Sequence, residues 1–448
     1  MSLHNIIVEN IALPLGDRVL GTTFMHELKR WREIQHYTRD QLEHMQHHNL
    51  QNLLKNAVQN IPYYGELGIK IEEDPYSTLK KFPLLTKKIM NSRPDDLVQG
   101  DRSKLVSNTS SGSSGHRVST YDSGVTKSIT RAVHTLCWEW GGFRLGEPFM
   151  QLGMELKRSR VKRIKDIMLR TAYTQSFHLE KQEVLNNLSP YRGTSNAVFG
   201  GYASGLYAYA KFANEAGLED VTFKSVLSWG DKMFPHFREL LESQFHTKVY
   251  DLYGCAEGIV GAAQCTAMNY HIPTPHVIIE VIDREGNACL PGELGRVILT
   301  RLDNNVMPLI RYDVGDLAIL ADPDKACSCG MNFPLMEKII GRDTDIVYSR
   351  SGKFMIVHFF TGIFEYIPQV KQFRVIQRDL DGIEIEYIKA DGFIPATLDF
   401  AVDKIRGYLK EDFRIDFTEV REIPPTTSGK PQIVKSEIAR MPLQFENG

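Results

Sequence analysis

Between about residues 105 and 300, short β-branched runs alternate with stretches of helical period, and this rhythm limits the possible folds more than any other feature of the chain. VTFKSVLSW and TKVYDLYG read as strands, and HFRELLESQF between them reads as a helix. Strands separated by a helix of that length return to the sheet by a crossover and so run parallel. The fold class is therefore α/β. After about residue 275 the runs HVIIEVID, GRVILTRL and LAILAD are separated only by short Gly and Asp turns, which predicts a smaller antiparallel subdomain.

A chain of 448 residues is too long for one ordinary core, so two or three domains are expected. Near the start, Leu50, Leu53, Leu54 and Val58 form one helical stripe in a supporting segment. The last hundred residues read as a separate α+β module. KQFRVIQ and IEIEYI flank Asp381-Gly382 as a hairpin, with Ile383, Ile385 and Tyr387 alternating with Glu384 and Glu386. A helix carrying Leu398, Val402, Ile405 and Leu409 on one stripe follows, then the loop IPPTTSGK, which ends in Lys430. The boundary falls near Gly341 to Asp345, giving a large domain over 1–341 and a small one over 342–448.

Composition narrows the setting. A formal net charge of -2 gives no electrostatic reason to expect nucleic acid or an acidic membrane as partner, so any anion must be bound locally. MSLHNIIVEN lacks the basic start and apolar core of a secretory signal, which points to a cytoplasmic protein. The uncharged stretch from Gly193 to Ala210 is broken by Ser, Thr, Asn and Gly and reads as buried protein, so no membrane segment is expected. Six cysteines in a reducing compartment do not suggest a disulfide framework. A monomer or homodimer is expected.

Five short motifs could carry chemistry. SNTSSGSSG, Ser107 to Gly115, is dense in hydroxyls and glycines that let a backbone approach phosphate oxygens, although a flexible linker has the same composition. VYDLYGCAEG delivers Tyr253, Gly254 and Glu257 to a strand end, where open α/β sheets place ligands and where a carboxylate could hold Mg²⁺. PLIRYDVGD and IIGRDTD bring Arg311, Asp313, Asp316, Arg342 and Asp343, residue types that meet ribose hydroxyls and phosphates but also form ordinary surface turns. TTSGK adds Lys430, which alone is an exposed lysine on a turn.

Their order carries more than any of them singly. SSGSSG, SWGD, YGCAEG, IRYDVGD, GRDTD and PTTSGK resemble the successive signatures of the adenylate-forming superfamily of acyl-CoA ligases, adenylation domains and luciferases. IPYY, KFPLLTK, SSGSSG, DLYGCAEG and CSCG look most like its phenylacetate-CoA ligase-like branch, CapK-like proteins included. The resemblance implies that Ser110, Ser111, Gly112, Ser113, Ser114 and Gly115 enclose the ATP phosphates and that Gly230 and Asp231 lie beside the adenine. It implies that Tyr253 and Gly254 flank nucleotide and acyl group, that Glu257 serves Mg²⁺, that Asp316 binds the ribose with support from Arg342, and that Lys430 swings in to stabilise the transferring phosphoryl centre. The implied activity is ATP-dependent activation of a small carboxylic acid, then transfer to CoA; an amine or carrier protein as acceptor, or a silent ATP-binding relative, are the alternatives. The chain departs from the pattern in two places. The phosphate loop continues into His116 and Arg117, and Thr344 replaces the first acid of the usual GRxDD hinge, which bears on the swing to a thioester-forming state; the following VYSRSGKFMIVHFFTGIF looks more like the CapK-like proteins, so the phenylacetate label does not transfer with the resemblance.

A second centre is expected beside the first. Cys265 and His271 are close in sequence, Cys327 and Cys329 form a C-x-C-G element, and two such pairs suit a closed, structural Zn²⁺ site. Similar residues occur in part of the branch; an inert buried cysteine and a core histidine are the plainer reading. The basic run KRSRVKRIKDIMLR reads as a solvated helix face or a docking place for an anionic acceptor, and CWEWGGF, with Trp138, Trp140 and Phe143, reads as core.

Overall fold

The computed structural model describes residues 2–109, 118–153, 159–176, 179–283, 285–342, 346–351, 353–364, 366–424 and 432–438. Eleven strands form one mixed sheet. Its parallel half runs Thr171–Gln175, Phe149–Gly153, Val198–Tyr202, Ser225–Trp229 and Val249–Cys255. The antiparallel half continues through Ile259–Gln264, Tyr270–His271, Leu335–Arg342, Tyr312–Leu320, Leu294–Arg301 and Val277–Ile282. The antiparallel part starts earlier than residue 275, because the tight turn in which the Gly258 N–H bonds to the Cys255 carbonyl leaves no room for a crossover helix.

Helices cover the sheet and are stopped and started by local chemistry. Helix Arg39–Asn60 opens with a capping box between Thr38 and Gln41. It buries Leu50, Leu53 and Leu54 in a core with Tyr64, Phe82, Leu309 and Tyr312, under the antiparallel half. Helix Gly124–Trp140 is capped by the Ser123 hydroxyl and lays Ala132, Val133 and Leu136 against Leu28 and Trp31 of helix Phe24–Ile34. Trp140 and Phe143 join that core as expected, and the described part of the basic run forms the largely exposed helix Arg160–Met168.

The C-terminal module has its own sheet, in the order Arg414–Glu419, Gly382–Lys389, Val370–Asp379, Val434–Ser436. The expected hairpin pairs Arg374 with Glu386 and Val375 with Ile385 in register, and its wet face is stitched by Arg374–Glu386 and Arg378–Glu384 ion pairs. Ile383, Ile385, Ile405 and Leu409 fill a core that also holds Val375 and Phe413. Among the described residues, that core draws on positions from 347 onward. A small cluster of Leu317, Ile346 and Tyr348 joins it to the large body. Among the described residues, no helix is long and apolar enough to cross a membrane.

Candidate functional site

The described candidate residues gather at the carboxyl end of the parallel strands and at the turn that leads into the antiparallel half. Strand Ser225–Trp229 ends at Gly230, which adopts a φ of +83°. A Cβ there would also lie 2.5 Å from the Tyr202 ring, so both conformation and close approach require glycine. Asp231 turns back to helix Ala203–Glu215, where its carboxylate accepts the Ala203 and Ser204 amides and the Ser204 hydroxyl. It therefore serves as the anion on that helix N-terminus, and the Gly230–Asp231 turn is held rigidly.

The neighbouring strand, Val249–Cys255, supplies Tyr253 and Gly254. The Tyr253 hydroxyl donates to Asp316 Oδ2 at 2.8 Å. Asp316 is buried on strand Tyr312–Leu320, in register with Arg342, whose backbone closes strand Leu335–Arg342. Glu257, buried in the turn after Val249–Cys255, accepts the Tyr312 hydroxyl at 2.8 Å. Among the described residues no lysine or arginine pairs with the Glu257 side chain. A buried carboxylate without a cation calls for one, and this donor suits Mg²⁺ carried with phosphate oxygens. In the IRYDVGD motif, by contrast, Arg311 is taken up by Glu280 and Asp313 by Arg296 at 2.8 Å, so those two charges are scaffold. Ser110, Ser111, Gly112, Ser113, Ser114, Gly115 and Lys430 lie outside the described residues, as do Asp343 and Thr344.

A buried network that sequence reading did not find braces this turn. Arg301 is fully buried and donates to Asp122 at 2.7 Å, to Asp303 at 2.8 Å, to the Thr130 hydroxyl at 2.6 Å and to the Glu257 carbonyl at 3.4 Å. Asp122 also accepts from Asn108 at 2.7 Å, across the hairpin Val106–Thr109 and Ser119–Asp122, in which Thr109 pairs with Ser119. The two ends of the Ser/Gly segment are thus tied to the Glu257 turn through one guanidinium. His276 completes the brace. Its Nε2 accepts the Val260 N–H at 3.1 Å, which leaves Nδ1 to donate to Asp303. Burial opposes ionisation of Asp303, but His276 and Arg301 prevail and hold its carboxyl below the usual range. LTRLDN gave no signal for this, because a strand arginine normally points to solvent.

Beside Gly230, the ring of Trp229 lies 5.1 Å from that of Trp138, and His134 packs 4.4 Å from Trp138. Trp138 is only partly buried, and its indole nitrogen has no hydrogen-bond partner among the described residues. Burial, with the nearby Arg131 and Lys127 charges, lowers the His134 pKa to about 4, so the imidazole is neutral at pH 7.

The second cluster forms as expected. Cys265, His271, Cys327 and Cys329 offer four ligand atoms within 4.8 Å of one another. Cys265 Sγ lies 3.6 Å from Cys327 Sγ, and Cys329 Sγ lies 3.2 Å from His271 Nε2. A disulfide would need about 2.0 Å between sulfurs, whereas a zinc tetrahedron with Zn–S near 2.3 Å has edges of about 3.8 Å. His271 Nδ1 lies 3.2 Å from the Phe333 carbonyl, an outer contact that aims Nε2 at the thiols. Gly330, at φ +83°, turns the C-x-C loop back with its N–H on the Cys327 carbonyl.

The family model of the CapK C-terminal domain matches residues 347–437. A phenylacetate-coenzyme A ligase of Thermus thermophilus is 33% identical over 119 residues, 25% of this chain and 26% of that protein, so the match spans about a quarter of the relative's length. Among solved structures, a 2-hydroxyisobutyryl-CoA ligase in its postadenylation state superposes with a TM-score of 0.68 at 17% identity, covering 88% of this chain and 89% of that one. An amide bond synthetase from Marinactinospora thermotolerans gives 0.51 at 17% identity over 74% and 68% of the two chains. The fold is that of the adenylate-forming ligases. In sequence the chain is similar to the phenylacetate-CoA ligase-like branch of those proteins over part of its length, and residues 347–437 match the CapK C-terminal domain.

Proposed function

We propose that this protein is a cytoplasmic enzyme that activates a carboxylic acid with MgATP as an acyl-adenylate, releases pyrophosphate and passes the acyl group to CoA. The observation that carries the reading is the meeting of two buried, tyrosine-held carboxylates, Asp316 and Glu257, at the strand ends beside the Gly230 turn. Asp316 offers an acceptor for ribose hydroxyls, while Gly230 and Asp231 present backbone to the base. Glu257 would hold Mg²⁺, which supplies positive charge where phosphate oxygens crowd as the weak carboxylate nucleophile attacks the α-phosphorus. Arg301 keeps the Glu257 turn and the base of the Ser/Gly segment in one frame. The residues from Ser110 to Gly115 enclose the phosphates, Arg342 supports the ribose contact, and Lys430 adds the second cation.

The Cys265, His271, Cys327 and Cys329 set is read as a structural zinc site, since four protein donors leave no position open for catalysis. An amine or carrier protein as acceptor is the second reading, favoured by Thr344 at the hinge and by the likeness to an amide bond synthetase. Acid-dependent ATP–pyrophosphate exchange across aryl, aliphatic and amino acids tests the first half-reaction. Consumption of CoA, hydroxylamine or carrier protein then tests the acceptor. Exchange with no acid in the panel would leave a silent nucleotide-binding relative and defeat the proposal.

A further inference from the structure

The N-terminal helix, running on through Leu3–Ile7, Val8–Ala12 and Leu13–Leu20, carries an apolar face that nothing in the described chain covers. Leu3, Ile7, Ile11, Leu15 and Val19 recur at every fourth position and are 73%, 43%, 61%, 59% and 75% exposed. The opposite side is anchored: Asn5, Val8 and Leu13 are buried, and buried Glu9 pairs with Arg32 at 3.0 Å. The helix is thus fixed by one face and offers the other. Contiguous aliphatic surface of this extent marks an interaction site.

Residues four apart drift about 40° per step around an α-helix, so Leu3 and Val19 would end about 160° apart. Here the helix contains a π-helical turn over Val8–Ala12, and the Leu13 N–H reaches back five residues to the Val8 carbonyl. The wider turn advances fewer degrees per residue and so offsets part of that drift.

Two features specify what covers it. The stripe reads alike in both directions about Ile11: Leu3 mirrors Val19, and Ile7 mirrors Leu15. Ile6, 45% exposed, mirrors Gly16, where the space a Cβ would occupy is open. A twofold interface requires this self-complementarity, because residue i meets j while j meets i. The exposed charge on this helix is Arg18, which mirrors His4, so no like charges meet at the axis. A helix that lies on a membrane surface would instead be fringed with lysine and arginine. We propose that two copies of this chain pair through this helix in antiparallel fashion, Ile11 packing on Ile11 of the partner subunit and Leu3 on the partner's Val19.

The test uses the full chain, by light scattering after gel filtration and by sedimentation velocity. The expected wild-type mass is that of two chains. Ile11→Glu, which sets two carboxylates face to face, should halve it without lowering the melting temperature, since the side chain is exposed. Ile11→Cys should give a disulfide-linked dimer under mild oxidation, beyond anything the wild type gives. Leu3→Cys should cross-link only when mixed with Val19→Cys. A wild-type monomer, or a dimer indifferent to Ile11→Glu and without the Ile11→Cys cross-link, would overturn the proposal. So would a monomer that floats with phosphatidylserine vesicles and loses that binding in Ile11→Glu, which would assign the face to a lipid surface.

Discussion

Glu257 shows how much one hydroxyl can decide. Its carboxylate is buried and accepts the Tyr312 hydroxyl, 2.8 Å away. Hydrogen bonds to charged groups contribute about 1.5–3 kcal/mol, so Tyr312→Phe should cut ATP–pyrophosphate exchange by about 10- to 100-fold. Glu257→Gln should cut it further, and raising Mg²⁺ should restore part of the Tyr312→Phe loss but none of the Glu257→Gln loss. His134 gives a second residue-level expectation, this time in stability. Its pKa is about 4 in the folded chain against 6.5 in the unfolded one, because burial and the Arg131 and Lys127 charges disfavour the imidazolium. Between those values the unfolded chain holds the proton that the folded chain lacks, so the contribution is complete above pH 6.5 and is lost as pH falls toward 4. Melting temperature measured from pH 7.5 down to 4.5 should therefore fall less steeply in His134→Gln than in wild type. Glu257 is singled out in YGCAEG only by the resemblance, since an acid after a strand is more often a solvated loop residue. Tyr312 and His134 could not be read as site residues, since the first sits in a motif whose charges draw attention away from it, and the second matters only through packing between helix and strand end.

At the scale of elements, the strand and helix rhythm was readable because each periodicity is local: the hairpin at Asp381-Gly382, the helix before Leu409 and the strands ending at Trp229 and Cys255 all lie where residue alternation puts them. What the rhythm hides is contact across sequence. Arg301 reaches Asp122 and Thr130, more than 170 positions away, and no period marks such a partner. The metal cluster falls between these cases, because two short pairs are visible while their meeting needs strand Leu335–Arg342 to lie beside Tyr270–His271. That junction fixes the next expectation. Protein purified without added zinc should contain close to one Zn²⁺ per chain by elemental analysis, and the Cys327→Ser, Cys329→Ser variant should lose it. The variant should also melt several degrees lower, with the loop from 265 to 271 the first to gain hydrogen exchange. A metal-free wild type of equal stability would remove the zinc reading.

For the whole molecule, the decisive feature is that, among the described residues, the C-terminal core meets the large body through few side chains. Among the described residues, the core around Val375, Ile385 and Ile405 holds none before 347, and Leu317, Ile346 and Tyr348 form an apolar bridge to the large body. Such separation permits one unit to move against the other, and the proposed chemistry assigns them different tasks: nucleotide and acid on 1–341, the lysine on 342–448. A fragment ending at residue 341 keeps the buried Arg301 brace and the Asp316 and Glu257 carboxylates, so it should fold and retain nucleotide affinity by calorimetry. Removing a single charge-stabilising donor costs about 10²- to 10³-fold in rate. Lys430→Ala in the full chain should therefore lose that much ATP–pyrophosphate exchange while binding ATP normally, and the fragment should lose at least as much. Adding the separate 342–448 piece should restore exchange only when its Lys430 is intact. Full exchange by the fragment alone would place the reaction wholly on the large body and rule out a catalytic part for the small one.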